Sequence, residues 1–309
     1  MPFGTSTPLA RTTVRVLGSH QTTGHHGEIL QGVFETPRGL RRALITLPCP
    51  LYISRADFEP SSATDTVTVD EPWRMKAARA AELALRTLDG PSTGGTLRVS
   101  SNIPLGRGFG SSTADVLAAI GAVYDAAGRI PDPKQSAVLA VAAETASDAL
   151  MYPDRAVLFA HRAGEVVADL GGALMPLAVL GFGTSQGGAG LATLELPPAR
   201  YTVWEIEAFR PLLGMARRAI RTRDLDLLGR VATASARLNQ RHLPVPGFED
   251  LLAIGEAVGA AGLQVAHSGD VAGLVFDPCL PDLAVRTDDA RKRLDALGVR
   301  ETWYFTTGG

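Results

Sequence analysis

The sequence predicts an α+β fold of about two domains. Strand-like and helix-like segments follow one another without the steady βαβ alternation of a parallel sheet. After about residue 205 the pattern changes mainly to helices. A chain of 309 residues, 45% of them hydrophobic, is long enough for two ordinary cores. We therefore expect one domain over 1–185 and a second over 186–309, joined at the glycine-rich segment Ser185–Gly190.

The first half is predicted to carry most of the strands. Patterns of β-branched, aromatic and other apolar residues predict strands at 14–17, 42–58, 66–69, 95–101, 156–160, 166–170 and 177–183, and a break at Pro48–Pro50 is expected within 42–58. Helical periodicity and glycine stops predict helices at 72–88, 111–127 and 132–147. The first of these helices is expected to bury one face that includes Trp73, several alanines and Leu85.

The second half is predicted to be mainly helical. Helices are expected at 205–222, 224–240, 248–261 and 287–297, and strands at 263–266, 271–276 and 301–305.

The stretch Pro104–Asp115 carries the strongest functional signal. Gly106, Gly108 and Gly110 allow positive φ and close approach of a ligand, and helix formers follow the hydroxyls of Ser111 and Ser112. A glycine loop that opens onto a helix N-terminus offers free N–H groups to a phosphate, and a first-turn serine can bind Mg²⁺. The alternative is a plain helix entry with Ser111 as its N-cap.

Composition excludes several classes of function. A formal net charge of −2 gives no reason to expect a nucleic-acid or membrane partner. Cys49 and Cys279 are too few and too far apart for a disulfide framework or a zinc site. The longest nearly apolar run, at 173–183, is too short to span a bilayer. We expect a reduced, cytoplasmic enzyme.

Two more glycine-bearing segments are candidates for binding. Gly24–Gly32 places Glu28 and Gln31 between glycines, which suits a substrate with an amino or hydroxyl group. A tight turn with exposed His25 and His26 explains that segment equally well, and metal binding by this adjacent pair is a weak hypothesis. The segment Ala266–Gly273 can close over a substrate or can be an ordinary β-turn.

Two acids lie between these segments. Glu144 and Asp148 are four residues apart, so a helix would place both on one face. Phosphoryl transfer from ATP needs Mg²⁺ and in some enzymes a carboxylate that takes the hydroxyl proton. Glu144 is expected to serve the metal and Asp148 the proton, whereas the alternative is a solvated helix end.

The four segments together resemble the GHMP kinases. Pro104–Ala114 is similar to the phosphate loop of that family, with Phe109 in place of a leucine. Gly27–Gly32 and Ala266–Gly269 resemble the L-threonine kinase branch associated with cobalamin synthesis. The resemblance runs from about residue 18 to 277. It implies a GHMP kinase fold, with an N-terminal domain like ribosomal protein S5 domain 2 and a ferredoxin-like C-terminal domain.

The resemblance also implies roles for individual residues. ATP would be held by the phosphate loop and the first turn after it, namely Pro104, Gly106, Arg107, Gly108, Phe109, Gly110, Ser111, Ser112 and Thr113. Mg²⁺ would be bound by Ser112 and Glu144, and Asp148 would join Ser112 in catalysis as a candidate base. The acceptor would be bound by Glu28, Gln31, His267, Ser268 and Gly269. Reasoning from the residues alone, a solvated Arg107 is the alternative to a phosphate contact.

The chain departs from the branch in two places. His25 and His26 stand where small residues or cysteine are commoner, and one extra residue separates Glu144 from Asp148. The sequence as a whole predicts an ATP- and Mg²⁺-dependent kinase that phosphorylates L-threonine or a related hydroxy compound. The alternatives are another acceptor, such as homoserine or a specialised alcohol, and an inactive nucleotide-binding regulator. A homodimer is a further expectation.

Overall fold

The computed structural model describes residues 17–90, 93–184, 200–267 and 270–308. The strands in these ranges are β1 Gly18–Thr36, β2 Gly39–Ser61, β3 Val67–Val69, β4 Gly94–Ser101, β5 Val157–Ala160, β6 Glu165–Asp169, β7 Ala178–Gly183, β8 Gly262–Val265, β9 Val271–Phe276 and β10 Thr302–Thr306. The helices are α1 Met75–Leu85, α2 Ser111–Ala126, α3 Pro133–Glu144, α4 Val203–Thr222, α5 Leu225–Asn239, α6 Phe248–Ala257 and α7 Leu283–Ala296.

One sheet connects the two halves of the chain. Its strand order is β10-β7-β9-β8-β1-β2-β4-β3, and β5 and β6 branch from β2. The long strands β1 and β2 pair antiparallel, whereas β1 meets β8 only at Glu28 and Val265. Residues 24–28 of β1 therefore lie where the first half of the sheet joins the second.

The helices pack on the sheet through three large apolar clusters, and a smaller fourth cluster surrounds Phe109 in the described residues. The helices α1, α2 and α3 bury Phe58, Leu97 and Ile120 among many alanines. Helices α4 and α5 pack on the middle of the sheet around Phe209, whose ring lies so close to Gly32 that a Cβ there would meet it at 2.6 Å. Helices α6 and α7 close the third cluster. Small residues let α2 lie against β1, and this packing fixes the N-terminus of α2 near the sheet junction.

Most predicted elements are confirmed, with shifts of a few residues at their ends. The predicted break at Pro48–Pro50 is wrong, because β2 continues through these residues and the first two of them pair with β1. The predicted burial of Trp73 is wrong, because α1 begins two residues later and the Trp73 side chain is 65% exposed. The predicted helix over 132–147 is too long. It ends at Glu144 because Thr145 takes a φ of 76°, in the left-handed region.

Some predictions fall outside the described residues. The domain boundary at 185/186, the segment Ser185–Gly190 and most of the predicted strand at 14–17 belong to this group, so the two-domain division stays a prediction. Strand β7 precedes that boundary but pairs with β9 and β10. Cys49 is buried and Cys279 exposed, and neither forms a disulfide. Within the described ranges, every helix is too short or too polar to cross a membrane.

Candidate active site

The glycine loop ends directly at the N-terminus of α2. Gly106, Gly108 and Gly110 have φ values of 72°, 91° and 71°, which a residue with a side chain adopts only at a cost. Gly110 is the N-cap residue and supplies no side-chain cap, so the interpretation of Ser111 as the N-cap is wrong. The first N–H groups of α2 therefore keep their hydrogen-bonding capacity for an anion.

The loop is anchored to the body of the protein through Phe109. This ring is buried and contacts the rings of Tyr52 and Trp303 at centroid distances of 4.8 and 5.3 Å. The Phe109 carbonyl also accepts a 3.0 Å hydrogen bond from the backbone N–H of His25. The loop is thus fixed to both β1 and β10, and its position does not depend on the glycines alone.

The first turn of α2 meets the end of α3. Ser112 Oγ donates to Glu144 Oε2 at 2.6 Å, and Thr113 Oγ1 donates to Glu144 Oε1 at 2.9 Å. Thr113 Oγ1 also accepts from the backbone N–H of Asp148 at 3.4 Å. Both predicted acids therefore converge on Thr113.

The route to this convergence differs from the one expected. Glu144 is the last residue of α3, and Asp148 lies beyond it with extended backbone, just before the 3-10 turn Ala149–Met151. The prediction that the two acids share a helix face is wrong. The left-handed residue Thr145 ends the helix, and the following non-helical residues carry Asp148 to the site.

The oxygen set of Ser112 and Glu144 fits a hard divalent cation. A carboxylate and a hydroxyl are the ligand types that Mg²⁺ takes when phosphates and waters complete its shell. Burial raises the pKa of Glu144 to about 7, despite the hydroxyls that donate to it. A carboxylate in that environment gains most from a positive partner.

His25 connects the phosphate loop to Asp148. The Gly27 N–H donates to His25 Nδ1 at 3.1 Å, so the ring proton lies on Nε2, and Nε2–H donates to Asp148 Oδ2 at 2.9 Å. A Cβ on Gly110 would lie 2.1 Å from His25 Cδ2. Sequence reasoning missed this role, because it treated the histidine pair as a departure from the family pattern.

A bulge in β1 explains how His25 reaches the same place as Glu28. Strict alternation would send residues three apart to opposite faces. The pairing of β1 with β2 shifts register between His25 and Glu28, and Gly27 has a φ of 66°. As a result, ligand atoms of His25, Glu28 and Asp148 lie within 4.8 Å of one another. Because His25 Nε2 carries the proton that it donates to Asp148, and Glu28 is bonded to His267, these groups are arranged as two hydrogen-bonded pairs and not as a metal site.

His26 points the other way, into the sheet. It is fully buried, its Nδ1 lies 2.8 Å from Gln264 Oε1, and its ring contacts Phe109, Trp303 and Phe305. Burial lowers the pKa of His26 to about 4. The reading of this segment as a tight turn with exposed histidines is therefore wrong, and the two histidines do not converge on one ion.

Burial raises the pKa of Asp148, but the interaction and hydrogen bond with His25 and the electrostatic interactions with two nearby histidines outweigh it. His25, His267 and His161 together hold the pKa of Asp148 well below its usual range. The carboxylate is therefore ionised at every pH at which the protein would work, and it is a weak base.

Glu28 and His267 form a second bonded pair beside the first. Glu28 Oε1 lies 2.7 Å from His267 Nδ1, and Glu28 Oε2 accepts the His267 backbone N–H at 2.7 Å. Burial lowers the pKa of His267, but Glu28 outweighs it and raises that pKa to about 9. His267 is therefore an imidazolium at neutral pH. The centre of the His161 ring lies 5.6 Å from that of His267, a contact that no pattern in the sequence indicates.

The remaining predicted residues have different surroundings. Gln31 is buried, its backbone N–H donates to Ser235 Oγ at 3.0 Å, and its carboxamide nitrogen lies 3.5 Å from the Val265 carbonyl. Ser268 and Gly269 lie outside the described residues. Arg107 is not simply solvated, because its guanidinium pairs with Asp270 at 2.6 Å and Glu301 at 2.8 Å. It ties the phosphate loop to the segment after β8 and to the start of β10.

Comparison with known proteins agrees with this geometry. Residues 75–151 match the family described as GHMP kinases N terminal domain. The L-threonine kinase of Salmonella typhimurium is 32% identical over 190 residues, which is 60% of this chain and 61% of that protein. The L-threonine kinase of Citrobacter freundii is 31% identical over 180 residues, 58% of this chain and 61% of that protein. The chain thus matches about three fifths of the length of these curated relatives.

Solved structures share the fold over nearly the whole chain. A homoserine kinase from Cytophaga hutchinsonii has a TM-score of 0.69 at 16% identity and covers 97% of both chains. A mevalonate kinase from methicillin-resistant Staphylococcus aureus has a TM-score of 0.60 at 17% identity, covering 96% of this chain and 100% of its own. A structure described as in complex with MVAPP, AMPPCP and magnesium has a TM-score of 0.63 at 14% identity, covering 95% and 98%.

The matched family segment contains α1, the phosphate loop, α2, α3, Glu144 and Asp148, the parts that the geometry brings together. Residues 75–151 thus match a GHMP kinase N-terminal domain, and the described residues share their α+β fold with the solved homoserine kinase over nearly the whole chain.

Proposed function

We propose that the protein is an ATP- and Mg²⁺-dependent kinase that transfers the γ-phosphoryl group to the hydroxyl of L-threonine or a related small hydroxy compound. One observation carries the proposal. In the first turn of α2, Ser112 and Thr113 both donate to Glu144, and the Thr113 hydroxyl also accepts the backbone N–H of Asp148, so both acidic residues lie beside the N-terminus of α2. The curated L-threonine kinases support the choice of acceptor.

The phosphate loop and the first turn of α2 would hold the ATP phosphates. The backbone of Gly106–Gly110 is shaped by three positive φ values, and the free N–H groups of Ser111 and Ser112 follow at the positive end of the helix dipole. The Phe109 ring would anchor the loop to the body of the protein and would not touch the nucleotide, because it is buried. The loop is thus preorganised for phosphate before ATP arrives.

Ser112 and Glu144 would hold Mg²⁺ next to those phosphates. When bound, the ion neutralises charge on the β and γ oxygens. Glu144 is fixed by the Thr113 hydroxyl, so it presents its carboxylate in one orientation. Ser112 Oγ already donates to that carboxylate, and a single side-chain rotation would turn the lone pairs of the hydroxyl oxygen toward the ion.

Asp148 would orient the acceptor hydroxyl. Its low pKa makes it a poor base for an alcohol early in the reaction. A loose transition state needs little basicity, because the proton leaves the hydroxyl late, after most of the bond to the leaving group has broken. Asp148 therefore acts mainly by position, holding the hydroxyl in line, and it accepts the proton as transfer is completed.

The same proposal covers the setting of the enzyme. It would work in the cytoplasm, where ATP is available and thiols such as Cys49 and Cys279 stay reduced. A homodimer is part of the proposal, and the mass of the protein in solution tests it.

The decisive experiment measures ADP release from Mg·ATP with L-threonine, homoserine, simple alcohols, sugars and mevalonate. Strong turnover with L-threonine supports the whole proposal. Turnover with another acceptor keeps the kinase and replaces the substrate. ATP binding without turnover, unchanged in Asp148→Asn, favours the inactive nucleotide-binding regulator, although a protein that only binds has no need for Glu144 and Asp148. An absence of ATP binding overturns the proposal.

A further inference from the structure

We propose that His267 and His161 together bind an anionic group of the acceptor, so that the substrate is a hydroxy acid or hydroxy amino acid and not a neutral alcohol. This inference rests on the proposed kinase function and adds the chemical class of the acceptor. It concerns a pair of rings that lie near each other and near Asp148.

The Glu28–His267 pair leaves one ring nitrogen for a ligand. Glu28 uses both oxygens on His267, one on Nδ1 and one on the backbone N–H. The Glu28 side chain is fully enclosed, whereas 27% of the His267 side chain is exposed. Nδ1 faces the buried carboxylate, so Nε2 belongs to the part of the ring that a ligand can reach.

The surroundings of His267 keep it positively charged. Glu28 on β1 is its strongest partner, and the carboxylate of Asp148 adds to the effect. Arg162, in the turn between β5 and β6, opposes it. His25 on β1 also interacts with this charge. An imidazolium with both nitrogens protonated cannot act as a base, so its Nε2–H is available only as a donor.

His161 supplies the second half of the pair. Its ring centre lies 5.6 Å from that of His267, so the two rings are close enough for one small anionic group to contact an edge of each. Its Nδ1 atom is buried and has no hydrogen-bond partner in the described parts of the chain. Buried polar atoms are rarely left unpaired, so this atom points to a missing ligand. Burial lowers the pKa of His161 to about 3, so the ring is neutral and can donate one hydrogen bond.

The position of the pair favours the acceptor over the nucleotide. Both rings lie within electrostatic reach of Asp148, the residue assigned to the acceptor hydroxyl. The backbone carbonyl of His161 accepts the N–H of Ser147 at 2.9 Å, which ties this ring to the segment that carries Asp148. An acceptor with its hydroxyl at Asp148 would therefore carry its anionic group toward the two rings.

The test compares three acceptors that differ in one group each. L-Threonine amide replaces the carboxylate by a neutral amide of nearly equal size, and 3-hydroxybutyrate keeps the carboxylate but lacks the amino group. We expect kcat/KM to fall at least 100-fold with the amide and to fall less with 3-hydroxybutyrate. In His267→Gln, kcat/KM for L-threonine should fall about 100-fold, whereas the value for the amide should change less than threefold.

Two further measurements keep the test decisive. His161→Gln should show the same selective loss, which covers the case in which His267→Gln does not fold. His242→Gln, remote from the site, is the matched control. Calorimetric binding of L-threonine and its amide in the presence of AMPPCP needs no turnover, so a failure of the kinase proposal is distinguishable from a failure of this one.

Three results would overturn the inference. The first is equal turnover or equal binding of L-threonine and its amide. The second is a loss in His267→Gln that is the same for both acceptors. The third is a rise in the KM for ATP in His267→Gln while its KM for L-threonine is unchanged. That result would assign the two rings to the γ-phosphoryl group of ATP.

Discussion

His25 Nε2 donates to Asp148 Oδ2 at 2.9 Å, while the backbone N–H of the same histidine is bonded to the phosphate loop through the Phe109 carbonyl at 3.0 Å. One residue thus fixes the distance between the loop that would hold ATP and the carboxylate that would hold the acceptor. The Gly27 N–H locks the tautomer, so His25 can donate to Asp148 but cannot take a proton from a substrate. We therefore treat His25 as a positioning residue.

Replacing His25 by alanine should disable positioning while leaving nucleotide binding nearly intact. The Asp148 carboxylate would lose the hydrogen bond from the His25 ring, so its orientation would be less restricted. Its pKa would also rise, because burial raises it and His25 would no longer lower it. We expect kcat to fall on the order of 100-fold. The acid limb of the pH–rate profile should move to higher pH, because Asp148 must be ionised.

His25→Gln provides a graded comparison for that prediction, since its side-chain N–H can still reach Asp148. It should recover part of kcat, and His242→Ala should match the wild type. A KM for ATP that rises as strongly as kcat falls would contradict the positioning role. It would show that His25 acts mainly by supporting the phosphate loop.

The sequence predicted the phosphate loop because its function depends on local chemistry. Glycines with positive φ, hydroxyls and a helix start lie within a dozen residues, and the structure keeps them together. The elements of the fold were predictable for a similar reason, since periodicity reports local burial. Trp73 was misplaced because helix starts are weakly encoded, and α1 begins two residues after it.

The contacts between distant segments could not be predicted in the same way. Alternation along β1 gives no hint that a bulge at Gly27 turns His25 and Glu28 to the same side. Asp148 reaches the site because one residue, Thr145, takes a left-handed conformation. The neighbouring residues in the sequence do not indicate that conformation. The partnership of His161 and His267 joins residues more than 100 positions apart, and only the sheet topology brings them together.

Gly110→Ala should damage both stability and activity. An alanine at φ 71° is strained by about 1 kcal/mol, and its Cβ would lie 2.1 Å from the His25 ring. Gly128→Ala is the matched control, because Gly128 has a φ of 66° and a Cβ there meets nothing within 4 Å. Urea unfolding should show a larger loss of unfolding free energy for Gly110→Ala than for Gly128→Ala. Gly110→Ala should also show a large fall in kcat. Equal losses with unchanged activity would show that the contact between His25 and Gly110 is unimportant.

Glu144→Gln should change how the reaction depends on Mg²⁺. The amide keeps the size of the side chain but removes the charge that would hold the ion. We expect kcat to fall roughly 100- to 1,000-fold and the Mg²⁺ concentration for half-maximal rate to rise. Ser112→Ala should show a smaller effect in the same direction, because it removes one neutral ligand. ADP release measured against Mg²⁺ at saturating ATP checks this, and a wild-type Mg²⁺ dependence in Glu144→Gln would exclude it as a ligand.

The Glu28–His267 pair should make stability depend on pH in a defined window. The pKa of His267 is raised from 6.5 to about 9 in the folded protein, so folding is favoured by proton binding. That contribution is complete below pH 6.5 and is lost as the pH rises through about 9. Between these limits the free energy of unfolding of the wild type should fall on the order of 2 kcal/mol more than that of His267→Gln. Urea titrations at pH 6, 7.5 and 9 measure the difference. If the two proteins lose stability in parallel over this range, His267 is not held as an imidazolium by Glu28, and the donor assigned to the acceptor's anionic group is absent at neutral pH.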